Sequence, residues 1–472
     1  MAMKRRTLLT GAAAVAAAAA LNAPKAWTQD VPLLGGGKGV PLPFKLYTVG
    51  EMGDLLRPAD YDSMGMAHPD LGKLSVVIEL DMMTRKARYM PYLMPIGHWP
   101  LVLPDGRIFL TSRFSNQGTF LSPDGEVLKT FKLEEYAALN FGGHSIYDAP
   151  RNRIISTVTN ADNSGEMTGF VAIVDPKEMK VVGMAPVPGT NNSHELRVLP
   201  GGKELVVTGY AKNGNYEGLT DMVKVGWNFA DVERAQLSVL DMETLELKRQ
   251  FTSPNPYTMG HMDVDSEGNV YLEQFRNLVY KTPRITSNDG DDDDDAKDTK
   301  ETKDDKQSDK KRMTTEKMME LAAQYEHEIG GPRTWPLHQT ETAQKGLSTP
   351  TAIMKINAYT GDIQELWEKR ENHRYVQSVV YHPDLKAVYI ASRHSDALVV
   401  FPTDGSKPYS RSTADYGIYT ACGVCAFPGT PYIGLLSNYS GIAIIDASTM
   451  NAVDYYPLTT FRSIHLNPVR MA

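Results

Sequence analysis

The chain has 472 residues, is 42% hydrophobic and 22% charged, and carries 38 Gly, 29 Pro and 23 Tyr, which excludes a wholly disordered or collagen-like polymer. Its net charge of −8 leaves no basic surface for a nucleic-acid backbone. Two cysteines cannot staple a chain of this length, and beyond the first residues no apolar run approaches the roughly eighteen that a membrane helix needs.

Residues 1–28 read as an export signal. Lys4, Arg5 and Arg6 precede an Ala-rich run from Gly11 to Leu21, and small residues at Ala23 and Ala26 follow as candidate cleavage points. The adjacent arginines place it in the twin-arginine class, which exports proteins already folded, so the mature protein is expected in the periplasm. The apolar run is short and Ala-dominated, which argues against an uncleaved membrane anchor. No membrane contact is expected once the signal is removed.

From residue 40 to 472 the chain reads as one repeat domain. Phe44 to Val49, Leu74 to Asp81 and Lys86 to Met90 are three strands that lack a first partner. A unit of about 45 residues and four short strands then recurs. Its starts are His98, His144, His194 and His261, each opening a short strand that runs toward a Pro or Gly turn, then Gln377 and Cys422 at the matching spacing. Second strands begin at Arg107, Arg153, Glu204, Asn269, Ala387 and Tyr432. Third strands end in Asp175, Asp241, Asn357 and Asp446, residue types that suit a tight turn into the fourth. Ser463 to Asn467, with His465, supplies the missing innermost strand of the N-terminal three. The expectation is an all-β, seven-bladed β-propeller closed by pairing of the two termini, with eight blades as the competing count.

Residues 285–347 interrupt this pattern. From Asp289 to Arg312 acidic residues outnumber basic ones eleven to seven, with almost no apolar residue, so the tract reads as a disordered insertion with a helical pattern after it. The spacing of its aspartates does not fit an EF-hand.

Equivalent positions on a propeller converge on its axis. His98, His144, His194, His261, Cys422 and His465 are therefore expected to meet at one mouth of the channel. Imidazole and thiolate suit copper, iron or zinc; a transition metal, copper or iron, or a small ligand is the expected partner. The arrangement resembles the axial histidines of nitrous-oxide reductase. The competing reading is structural, since Gly97-His98, Gly143-His144 and Gly260-His261 are similar to the Gly-His that caps blade junctions in other propellers. The second strands end in Arg113, Asn160, Tyr210, Gln274, Arg393 and Asn438, a polar set placed to hold an anion or orient ligands around the same mouth. His68, His327, His338 and His382 read as loop or turn residues.

Cys422 and Cys425 form a Cys-x-x-Cys without the following His of a covalent haem site. Cys422 is expected to face the channel and Cys425 to pack. No nucleophile elbow or phosphate loop occurs in a credible context, so no nucleotide cofactor is expected.

The ordered motifs His98, Gly143-His144, His194-Glu195-Leu196, His261, Cys422-Gly423-Val424 and His465-Leu466 resemble the twin-arginine-exported family known as domain of unknown function 1513. That resemblance implies a periplasmic propeller with a link to iron or copper handling; the acidic insertion is foreign to it. Two further function classes stay open: a propeller enzyme, lyase- or oxidoreductase-like, using an axial His as acid or base, and a non-catalytic scaffold for a periplasmic protein partner.

Overall fold

The computed structural model describes residues 26–31, 39–54, 73–94, 97–112, 115–133, 139–160, 169–188, 190, 192–210, 236–252, 258–277, 348–368, 376–392, 396–438, 441–458 and 461–471. Their strands form seven antiparallel blades in a ring, the expected seven-bladed β-propeller. The innermost strands of blades one to six are Leu101–Val102, Leu139–Asp148, Asn192–Val198, Thr258–Val264, Val376–His382 and Ala421–Ala426. Each is followed outward by the second, third and fourth strands of its own blade.

Blade seven is built from both ends of the chain. Phe461–Arg470 lies innermost and pairs with Phe44–Asp54, in a register that sets Phe44 opposite Arg470 and Val49 opposite Ile464. Lys73–Asp81 and Lys86–Leu93 complete the four strands. A fifth strand, Trp27–Asp30, pairs with Lys86–Leu93 through Asp30 and Lys86. This strand lies ahead of residue 40, and its first two residues fall within the 1–28 stretch read as signal. The physical reason is that this strand covers an outer edge that would otherwise expose a row of backbone groups.

Middle strands such as Ala397–Pro402 and Gly441–Asp446 are almost wholly buried, because neighbouring blades pack on both of their faces. That is why they read as continuous apolar runs and not as alternation. Outer strands such as Val127–Lys132 face water and carry polar residues. The core is divided among the seven gaps between blades. Phe109 and Phe120 meet Ile154 and Val174 between blades one and two, and Leu46, Val76 and Ile78 meet Phe427, Ile442 and Ile444 between seven and six. Tyr47, Val49 and Tyr92 pack on Ile108 and Leu110 between seven and one. Every adjacent pair shares such a cluster, so the ring is closed by packing as well as by strand pairing.

The Asp and Asn turns into the fourth strands appear as expected. Asp175 Oδ1 accepts the N–H groups of Lys177 and Glu178, and Asp241 and Asn357 do the same two and three residues on. Each turn closes with a left-handed residue four positions after the Asp or Asn: Met179, Leu245 and Gly361.

The acidic tract lies outside the described residues, but its attachment points do not. Asn277 pairs with Ser348 and Arg276 with Thr349, as the second and third strands of blade four. The insertion thus occupies a hairpin connection whose ends the sheet already holds together. Deleting 288–312 is expected to change unfolding stability by less than about 1 kcal/mol, since loop-closure entropy grows only with the logarithm of loop length. A melting curve of the deletion variant that lost its cooperative transition would overturn this.

Candidate metal centre

The repeat starts share one backbone device. In every innermost strand from blade two to blade seven the ladder slips at the position singled out by the repeat. The irregularities lie at Gly142 to His144, at His194 and Glu195, at Gly260 and His261, at Gln377, at Cys422, and at His465 and Leu466. A β-bulge breaks the alternation of a strand and re-aims one side chain. Here the bulges turn imidazoles toward the axis. In blade one His98 precedes the short strand and donates its backbone N–H to the Thr111 carbonyl.

Five imidazoles meet there, all buried. His98, His144, His194 and His261 form a group whose ligand atoms lie within 4.8 Å of one another. His194 Nε2 is 3.1 Å from His261 Nε2, and His465 Nε2 is 3.0 Å from His98 Nε2. His144 sits among them, its ring 4.7 Å from His465 and 4.8 Å from both His98 and His194.

The outer ring nitrogens decide the tautomers. His194 Nδ1 lies 2.9 Å from the Gly142 carbonyl, which only accepts, so Nδ1 carries the proton. His261 Nδ1 lies 2.8 Å from Glu273 Oε1, which also accepts the His261 backbone N–H at 3.0 Å. With Nδ1 carrying the proton in each, the neutral rings would direct two Nε2 lone pairs at each other across 3.1 Å. Such a contact is repulsive unless a cation or a proton lies between the rings. His144 makes no hydrogen bond through either ring nitrogen, and its Nδ1 stands 3.5 Å from Glu195 Oε1.

The fit to an ion follows from these distances. Two nitrogens bound 2.1 Å from one metal lie about 3.0 Å apart at right angles and about 4.2 Å apart on opposite sides. The observed pairs near 3 Å match the first figure, and the 4.8 Å span requires only a small contraction of the group.

Of the other expected residues, Cys422 is not among the grouped donors. Its thiol donates to the Ser463 carbonyl at 2.7 Å, and it packs in the apolar cluster between blades six and seven. The channel-facing assignment is thus corrected: the bulge at Cys422 turns its sulfur toward a backbone carbonyl of the neighbouring blade. Cys425, expected to pack, does so and also lines the cavity described below; burial pushes its thiol up to about 12, so it stands there as a neutral group. Asn438 is buried, and its backbone links Thr420 to Ser463. Asn160, Tyr210 and Gln274 lie on the expected second strands, with side chains outside the described residues. Arg113 and Arg393 lie outside them, as do His68, His327 and His338. His382, expected in a turn, ends the innermost strand of blade five and is fully buried.

Two carboxylates were missed. Glu273 occupies the place in its second strand that Thr111, Thr157 and Thr208 hold in blades one to three. Thr157 Oγ1 donates to the carbonyl of His194 and Thr208 Oγ1 to that of Gly260, so the threonines brace the inner strands. In blade four a carboxylate replaces the brace and reaches the imidazole instead. Glu195 accepts the Met262 N–H and pairs with Arg197, which continues to Asp263 at 3.4 Å. Burial raises the Glu195 carboxyl above its ordinary range against the pull of that guanidinium.

The histidines occupy five adjacent blades, from seven through four. A cavity of about 320 Å³ lies on the remaining side, with walls from Val379 and Tyr381 of blade five and Val424 of blade six. It opens on His261 and His465.

No family model matches the chain, and no curated protein matches it. Solved structures do. A cobalt-substituted apocarotenoid oxygenase from Synechocystis is 13% identical, with 95% of this chain and 96% of that chain covered and a TM-score of 0.51. A putative 6-phosphogluconolactonase from Bacteroides fragilis is 11% identical, with coverage of 90% and 98% and a TM-score of 0.51. At such identities the likeness is one of fold.

Burial, reinforced by His465, His98, His194 and His261, holds His144 well below the ordinary value of 6.5. The unfolded chain then binds a proton that the folded one refuses. Stability of chelator-treated protein is expected to be level above about pH 6.5 and to fall below it, with His144 contributing at most about 1.4 kcal/mol per pH unit. Urea melts from pH 7.5 to 5 check this, and His144→Gln should flatten part of the slope. An unchanged slope in that variant would count against a neutral His144.

Proposed function

We propose that this is an exported, transition-metal-binding propeller in which His98, His144, His194 and His261 hold one first-row ion, iron or copper, in the periplasm. The observation that carries the reading is the facing pair of Nε2 atoms of His194 and His261, each with its Nδ1 committed outward to an acceptor. A cation satisfies both lone pairs, and it also gives His144, otherwise unpartnered and buried, a use for its nitrogen. Imidazole donors suit iron and copper alike. Glu273 behind His261 fixes the tautomer and raises the basicity of the ligand, which is what carboxylates behind metal-bound imidazoles do. Such an ion supplies Lewis acidity and, for iron or copper, one-electron chemistry at the floor of the cavity. The protein's own part is to gather the imidazoles on the axis, to hold His144 neutral by burial and to bring a ligand from the side of blades five and six.

Export is supported by the paired Arg5 and Arg6, by the Ala-rich run that follows them and by the small residues Ala23 and Ala26. A folded, metal-loaded cargo is what the twin-arginine route carries.

Metal analysis tests the reading. Protein isolated from its own host is expected to carry close to one iron or copper per chain. Replacing His144 and His194 together by Ala should remove it while strand content and the melting transition persist, because the sheets and not the axis hold the ring. A parent protein that carries no metal, and takes none up on incubation with iron(II), copper(II) or cobalt(II), would sink the proposal. A double variant that kept its metal would remove these residues from the ligand set.

A further inference from the structure

His465 differs from the other four imidazoles in its backbone and its neighbours, and it shares its place at the cavity with His261. Its φ of +58° is left-handed, alone among the described histidines. A non-glycine residue holds that conformation only where its surroundings impose it. Here the surroundings are visible. A Cβ at Gly423 would stand 3.2 to 3.3 Å from the N, Cα and C atoms of His465, so the blade-six strand lies flat on that residue's backbone. The turn takes His465 out of strand alternation and brings its Nε2 to 3.0 Å from that of His98. Two imidazoles at that separation suit one ion. His465 also borders the cavity, whereas His98, His144 and His194 do not.

The cavity has its own chemistry. Trp99, Tyr381, Val379, Val424 and Leu466 give it mostly apolar walls; the charged groups there are Arg197, paired with Glu195 and Asp263, and Arg470, which lies over the Phe44 ring. Its volume of about 320 Å³ lies at the small end of ligand pockets.

We propose that His465 is a fifth imidazole ligand of the metal, and that the cavity brings a small, largely apolar molecule with one donor atom to the ion beside it. This rests on the metal reading above. The left-handed backbone makes a clean test possible, because glycine adopts φ +58° without strain. His465→Gly deletes the imidazole, keeps the backbone and opens its place to the cavity.

Parent and variant would be loaded with cobalt(II), whose visible absorption reports the number and kind of its ligands. The variant is expected to bind cobalt with an altered spectrum, and millimolar imidazole should restore the parent spectrum. His144→Gly, away from the cavity, should alter the spectrum without such rescue. A His465→Gly spectrum identical to the parent's would overturn the ligand assignment. An altered spectrum that imidazole fails to restore, or restores equally in His144→Gly, would overturn the access route. Failure of the parent itself to bind cobalt would overturn the metal reading and this inference together. Should the glycine variant not fold, His465→Asn, which also tolerates the left-handed region, must show the same loss of the parent spectrum, and an unchanged spectrum there overturns the assignment.

Discussion

Pairing of Phe461–Arg470 with Phe44–Asp54 is the constraint on which the rest depends. A ring of blades is fastened shut by strand pairing when its first and last strands share a blade. Without that pairing the apolar clusters on both sides of blade seven, around Leu46 and around Tyr47, would face water. The same pairing has a chemical consequence. It places His465, far from the other histidines in sequence, on the axis against His98. Closure of the fold and the arrival of the fifth imidazole beside the other four are therefore one event.

The second constraint is the bulge. A regular strand alternates its side chains between the two faces of a blade, and both faces are already occupied by neighbouring blades. A side chain that must point down the axis needs a break in the alternation. The ladder irregularities at His144, His194, His261 and His465 provide it, and glycine neighbours ease it in two of them. Gly142 is one such position, since a Cβ there would collide with the Ser193 carbonyl and with Thr157. Two of the Gly-His pairs that could be read as blade-junction caps, Gly143-His144 and Gly260-His261, thus lie within the bulges at the axis.

These two constraints explain what was legible in the sequence. Blade number, strand order, the Asp and Asn turns and the closing pair all follow from a repeat whose spacing is set by four short strands, and they appear as read. The five axial histidines were legible for the same reason, since rotational equivalence converts sequence position into proximity. Cys422 shows where that logic stops. It shares the repeat position and the bulge, yet its thiol is taken by the Ser463 carbonyl, because rotational equivalence fixes where a residue sits and not where its side chain finds a partner. Glu273 was legible in principle, standing in line with Thr111, Thr157 and Thr208, but its role depends on reaching across to a ring in the adjacent strand. The strand Trp27–Asp30 was hidden because its residues adjoin and overlap the 1–28 stretch read from composition as a signal.

The two buried carboxylates behind the imidazoles are not equivalent, and the difference bears on the charge the centre can hold. Four or five neutral imidazoles leave a divalent ion's charge uncompensated in a buried site, where that is costly. Glu195 offers little relief, because Arg197 already balances it and Asp263 continues that pair toward the cavity. Glu273 has no cation beside it among the described residues; its Oε1 takes two N–H groups from His261 and its Oε2 takes none. Its negative charge is therefore directed through one imidazole onto the axis. An ion held by these imidazoles would have its charge compensated from one side only, by Glu273 through His261, which with His465 borders the cavity.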